Sequence, residues 1–276
     1  MRKPANPPRV DMMAAGVRSR RAIPADMKKS PAVVPSFGGH RALVVVAHPD
    51  DEVLGCGGAI ARHAAVGDIV NVVILGEGIT SRSRQRSRSR ASRAALESLQ
   101  ADVRKAAKIL GVKDVSTYAF PDNRFDSVPL LEIVKVIERE KVRARPTIVY
   151  THHPNDLNVD HRRVADAVQT AFRPQPGDLV PIILAFEVPS STEYQSSLSA
   201  DAFRPNVYVD IAETVDVKCR AIAAYRSEAR PYPHPRSPRA IAVIAERNGL
   251  EVGLQAAERF ALVRAVVRQS RRAERR

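Results

Sequence analysis

Five short apolar runs set the limits of this fold. 42-ALVVVA-47 and 69-IVNVVIL-75 are continuous or nearly so, and 115-VSTYAF-120, 147-TIVYT-151 and 181-PIILAFEV-188 follow along the chain. A run without polar alternation suits a strand buried on both faces, as in a parallel sheet. Helices are predicted between them over about 53–67, 91–110, 130–142 and 161–172, the first two ended by Gly67 and Gly111. A further strand is predicted at 206–211, and the last third reads as mainly helical, over about 213–226, 238–249 and 253–268. Strand and helix in alternation predict an α/β fold, a Rossmann-like three-layer sandwich with a mostly parallel sheet.

In such folds ligands sit beyond the carboxyl ends of the strands. The polar clusters fall there: 48–52, 76–90, 121–126 and 152–161, after the first four strands in turn. The first is 48-HPDDE-52, where three adjacent carboxylates leave a buried strand. Acids at a helix N-terminus would account for one or two of them, but not for the histidine. A bound cation accounts for the set. Proline fixes the bend, so Asp50 and Asp51 point in different directions and serve different purposes. His48 and Asp51, with His161 at the start of a later helix, match a catalytic zinc site of three protein ligands and an open position. The same donors suit ferrous iron. Water on such a metal becomes a usable nucleophile near pH 7 and needs a base, for which Asp50 is the candidate. Glu52 and Asp160 are expected to orient the ligands.

His-Pro-Asp-Asp-Glu after an apolar strand, with a later 158-NVDH-161, resembles the LmbE/PIG-L family of zinc-dependent N-deacetylases. 121-PDNRFD-126, 225-YRSEAR-230, 234-HPRS-237 and 257-AERFALVR-264 extend the resemblance over about residues 41–268. It implies metal ligation by His48, Asp51 and His161, with Asp50 as general base. It also implies hydrolysis of an acetamide on an N-acetylated amino sugar, or its nucleotide or glycoconjugate form, to acetate and a free amine. Many relatives carry a histidine where this chain has Asn158, so an oxyanion donor must come from elsewhere. His152, His153 and His234 are the candidates, and His234 could complete the site of a neighbouring subunit in a homo-oligomer. Arg82, Asp122, Arg124 and Asn158 are candidate substrate contacts. An amidase acting on a non-sugar or antibiotic-type conjugate is the alternative within enzymes.

Charge supplies the rival from another class. The chain carries 44 Lys+Arg against 30 Asp+Glu, and such an excess favours anionic partners. Much of it lies in 1–39, read as an irregular extension, in 82-RSRQRSRSRASR-93, and in a basic tail at 269–276, leaving 40–268 as the deacetylase-like domain. The Arg/Ser run would suit nucleic-acid binding through phosphates. Trp is absent and aromatics make up only 5%, so bases would find few stacking partners, and a solvated loop is the better expectation. No apolar run approaches the roughly 18–20 residues of a membrane span. Two cysteines cannot build a disulfide framework, so a cytoplasmic location is expected.

Overall fold

β1 (Arg41–Val46) is an interior strand of the sheet because nothing in it after Arg41 tolerates water. In this computed structural model, which describes residues 37–78, 90–178 and 181–266, Ala42–Val46 are no more than 1% exposed. Strand alternation divides the run between two cores. Ala42, Val44 and Val46 enter one core, and Leu43, Val45 and Ala47 the other.

The other elements follow in order: α1 (Asp51–Ala65), β2 (Ile69–Gly76), α2 (Arg90–Leu110), β3 (Asp114–Phe120), α3 (Leu130–Ala144), β4 (Ile148–His152), α4 (Val159–Ala171), β5 (Ile182–Phe186), β6 (Val207–Asp210), α5 (Val215–Ala224), α6 (Pro238–Leu250) and β7 (Ala257–Arg264). The strands form one sheet in the order β3-β2-β1-β4-β5-β7-β6. β1 to β5 are parallel, while β7 runs antiparallel to both β5 and β6. Helices α3 and α4 cover one face, and α1, α2, α5 and α6 the other. After β3 the chain returns past β1 to form β4, so the connections from β1 and β4 leave in opposite directions. That divergence opens the crevice in which such sheets hold ligands.

One predicted element is different. Residues 253–268 read as a helix from their Ala, Leu, Glu and Arg content, yet 257–264 form β7. Pairing on both sides, with β5 and β6, outweighs the local preference. Phe260 is fully buried there, its ring 5.3 Å from Tyr150.

The glycines at the start of α1 serve close approach. A Cβ at Gly55 would lie 2.2 Å from the Phe186 ring at the end of β5. The helix kinks at Cys56 (φ −146°), which frees backbone groups inside a core. Glu258 of β7 accepts from the amides of Gly58 (2.8 Å) and Ala59 (2.7 Å). Lys218 of α5 donates to Glu258 (2.6 Å) and to the Leu54 carbonyl (2.9 Å). The kink is thus closed by a buried ion pair.

Among the described residues no helix is long and apolar enough to cross a membrane. Most of the basic extension, Arg82 with most of its Arg/Ser run, and the 269–276 tail lie outside the described residues.

Candidate metal centre and active-site cleft

The turn leaving β1 sets the geometry. Proline at position 49 fixes one bend, and Asp50 takes φ 98°, ψ −25°, a conformation that side chains adopt at a cost of about 1–3 kcal/mol. The Asp50 carbonyl accepts from the amides of Val53 (3.0 Å) and Leu54 (2.9 Å), so the strained residue is anchored as the first cap of α1. The two aspartates then diverge. Asp51 turns toward the histidines, and Asp50 toward the loop after α5.

His48, Asp51 and His161 each offer one donor atom, and the three atoms lie within 4.8 Å of one another. Asp51 Oδ2 is 3.4 Å from His48 Nδ1 and 3.3 Å from His161 Nε2. The same oxygen accepts from the His48 amide at 2.8 Å. Each imidazole is held from its far side. His48 Nε2 donates to Asp160 Oδ2 (2.9 Å) and lies 3.1 Å from Asp122 Oδ1. His161 Nδ1 lies 3.1 Å from Asp156, whose carboxylate also accepts from the Ser191 and Thr192 hydroxyls and the Asn158 amide. His48, Asp122 and Asp160 form a second carboxylate–imidazole cluster. There Asp160 is already occupied by the amides of Asn123 (2.6 Å) and Phe125 (2.9 Å) as well as by His48. Its task is to fix His48 and the 121–126 loop.

Electrostatics reinforce the geometry. Burial pushes the His48 imidazole toward neutrality, but Asp122, Asp160 and Asp51 together hold its pKa well above the ordinary value. Burial works likewise against His161, and Asp51 and Asp156 raise it to about 9. The centre therefore favours positive charge. Burial drives the Asp50 carboxyl well above the usual carboxylate range; Arg236 opposes this, while Asp51, Glu228 and Glu52 add to it. Glu52 is pushed to about 7 by burial, although it accepts the Tyr225 hydroxyl at 2.5 Å. It also accepts from the Asp50 amide at 3.1 Å, which ties it to the strained turn.

A polar cleft opens over this centre, lined by His48, Asp50, Asp51, Asp122, Asn158, Glu228 and Arg236 among others. Asn158 caps α4 through the Asp160 amide (2.8 Å) and donates to Asn123 Oδ1 (3.1 Å). Among the described residues, three of the expected catalytic and substrate-contact residues do not line the cleft of this chain. Arg124 is exposed beside it. His153 is turned away, donating from Nε2 to the Asp201 carbonyl at 2.9 Å with Phe203 against its ring. His234 is exposed and accepts from the Arg236 amide at 3.1 Å.

Asp156, Glu228 and Arg236 join the site without any expectation from the sequence. Arg236 donates to Asp50 Oδ2 (2.9 Å) and to Ser190 Oγ (2.7 Å), and lies 3.7 Å from Glu228. Glu228 and Arg236 lie in the motifs 225-YRSEAR-230 and 234-HPRS-237, and no local pattern marks either as facing Asp50. Asp156 carried no local signal, because its hydroxyl partners come from 35 and 36 residues away.

Residues 43–172 match the PIG-L: GlcNAc-PI de-N-acetylase family. An uncharacterized deacetylase of Escherichia coli is 29% identical over 191 residues, covering 67% of this chain and 90% of that protein. The diacetylchitobiose deacetylase of Thermococcus kodakarensis is 28% identical over 200 residues, covering 68% and 70%. Among solved structures, the 4-carboxy-2-hydroxymuconate hydratase of Pseudomonas putida superposes with a TM-score of 0.64 at 24% identity, over 83% of this chain and 98% of its own. At that identity the likeness is one of fold, and it places the same three-layer architecture under a different chemistry.

Proposed function

As a member of the PIG-L family, this protein is, we propose, a metal-dependent hydrolase that removes the acetyl group from an N-acetylated amino sugar or sugar conjugate. The diacetylchitobiose deacetylase relative supports the substrate class. One observation carries the metal reading: His48, Asp51 and His161 converge with Asp50 beside them at the crevice of the sheet. Two ligands about 2.0–2.1 Å from a tetrahedral zinc ion lie about 3.3–3.4 Å apart. The spacings of Asp51 Oδ2 from the two imidazole nitrogens, 3.4 and 3.3 Å, fit that figure. Two imidazoles and a carboxylate would also accept ferrous iron.

When bound, the ion supplies Lewis acidity toward the amide carbonyl and lowers the pKa of water to about 7. The protein does the rest. Asp160 and Asp122 hold His48 by its Nε2, and Asp156 faces the far nitrogen of His161, so both rings present one fixed nitrogen to the centre. Asp50 takes the proton from the attacking water and returns it to the nitrogen of the leaving amine. Its buried, acid-rich surroundings raise its basicity toward that task. Arg236 fixes one oxygen of the Asp50 carboxylate. Asp122, Asn158 and Glu228 offer hydrogen-bonding groups to sugar hydroxyls across the cleft. With His153 committed to Asp201, the oxyanion donor in this reading is His234 of a second copy, its own position on this chain being exposed.

The test is acetate release across a panel of N-acetylated mono- and disaccharides, nucleotide sugars and glycosides, with and without a chelator. The expected result is acetate from at least one sugar, abolished by chelation and restored by zinc. A chain that binds metal yet releases acetate from none of them would overturn the deacetylase reading.

A further inference from the structure

His152 ends β4 and is completely buried. Its ring lies flat against the His161 ring, with centroids 4.0 Å apart and an interplanar angle of 13°. The amide of Ala47 donates to His152 Nε2 at 2.9 Å. Ala47 is the residue before His48, so this single bond fixes the end of β1 from which the first proposed ligand departs. The same Nε2 stands 3.5 Å from Asp51 Oδ2. Phe186 of β5 meets the ring at 5.0 Å and 64°, so that it cannot retreat from its neighbours. One side chain therefore touches the chain segments that carry all three proposed ligands.

The hydrogen bond also defines what His152 is not. A nitrogen that accepts an amide proton carries no proton of its own, so the ring is uncharged with its proton on Nδ1. Its lone pair is spent on Ala47 and is unavailable to a metal. We infer that His152 is a positioning residue for the metal centre, a flat plate that sets the ring plane of His161 and, through Ala47, the departure of His48. This rests on the metal reading above. Oriented outer groups of this kind alter metal affinity without touching the ion.

The experiment is zinc affinity by competition with a chromophoric chelator, together with the visible absorption of the cobalt-substituted protein. His152→Ala removes both contacts. His152→Phe keeps a plate against His161 but offers Ala47 no acceptor, and His152→Asn does the reverse. His152→Ala is expected to bind zinc about 10–100-fold more weakly than wild type, with an altered cobalt band, and the other two variants to fall between. A structural role alone would lower the melting temperature of the metal-free protein and leave zinc affinity and the cobalt band unchanged in the folded variants; that result overturns the inference. Should His152→Ala fail to fold, the Phe and Asn variants decide by the same criteria. Wild-type protein that binds no zinc would remove the metal reading itself, an outcome distinct from variants that match a zinc-binding wild type.

Discussion

Asp50 and Asp51 are neighbours in sequence and opposites in surroundings. One backbone residue at φ 98° separates their directions, and the different fields they enter follow from that. If Asp50 is the base, Asp50→Asn should retain its metal and lose about 10²–10⁴-fold in turnover, the usual worth of a positioned general base. Acetate release at saturating substrate, measured beside metal content, checks both halves, and full activity would remove Asp50 from the role. The meeting of His48, Asp51 and His161 was legible in the sequence because each sits where a buried strand or a helix must begin or end. Arg236 was not, since its contact with Asp50 spans 186 residues and depends on where the loop after α5 folds back. Asp122, an expected substrate contact, also lies 3.1 Å from His48.

Elements position these residues through packing that sequence patterns reveal unevenly. The parallel strands were readable as unbroken apolar runs, and the glycines after Asp51 as places of close approach; the Phe186 ring against Gly55 is the reason. β7 is not legible in the sequence, because its composition favours helix while its neighbours on both sides demand a strand. Glu258 of this strand caps the kinked half of α1 from inside the sheet, a role no helix over 253–268 would suggest. Lys218→Met would leave that carboxylate buried beside two amides without its cation. Removing one partner of a buried ion pair costs about 3–5 kcal/mol, and urea denaturation should show a loss of that order. A midpoint equal to wild type would mean that the pair does not hold the kink.

At the scale of the whole molecule, the opposite rim of the sheet is tied by another buried histidine. His63 contacts Asp68 through Nδ1 (2.6 Å) and the Tyr150 hydroxyl through Nε2 (2.8 Å). Asp68 in turn accepts from the amides of Gly38 (3.1 Å) and His40 (2.8 Å), where the chain enters β1. Burial lowers the pKa of His63, with Asp68 opposing and His40 and Arg62 adding to the fall. A depressed folded-state value means that the unfolded chain takes the proton first. The stability from this group is therefore present above the unfolded value of about 6.5 and is lost as pH falls below it. Thermal melts from about pH 7 to pH 5 should show the midpoint falling in wild type and falling less steeply in His63→Gln; parallel slopes would exclude His63 as the source. The architecture as a whole was the most legible level, because alternating runs and helices leave few ways to build a sheet. The occupants of its crevice depend on contacts across the whole chain. The central claim is that His48, Asp51 and His161 hold a divalent ion, and elemental analysis of the purified protein beside Asp51→Ala tests it most directly. The account predicts about one ion per chain in wild type, as three-ligand sites hold, and a near-complete loss in a variant with an unchanged circular dichroism spectrum. Equal metal content in the two proteins, or none in wild type, would contradict it.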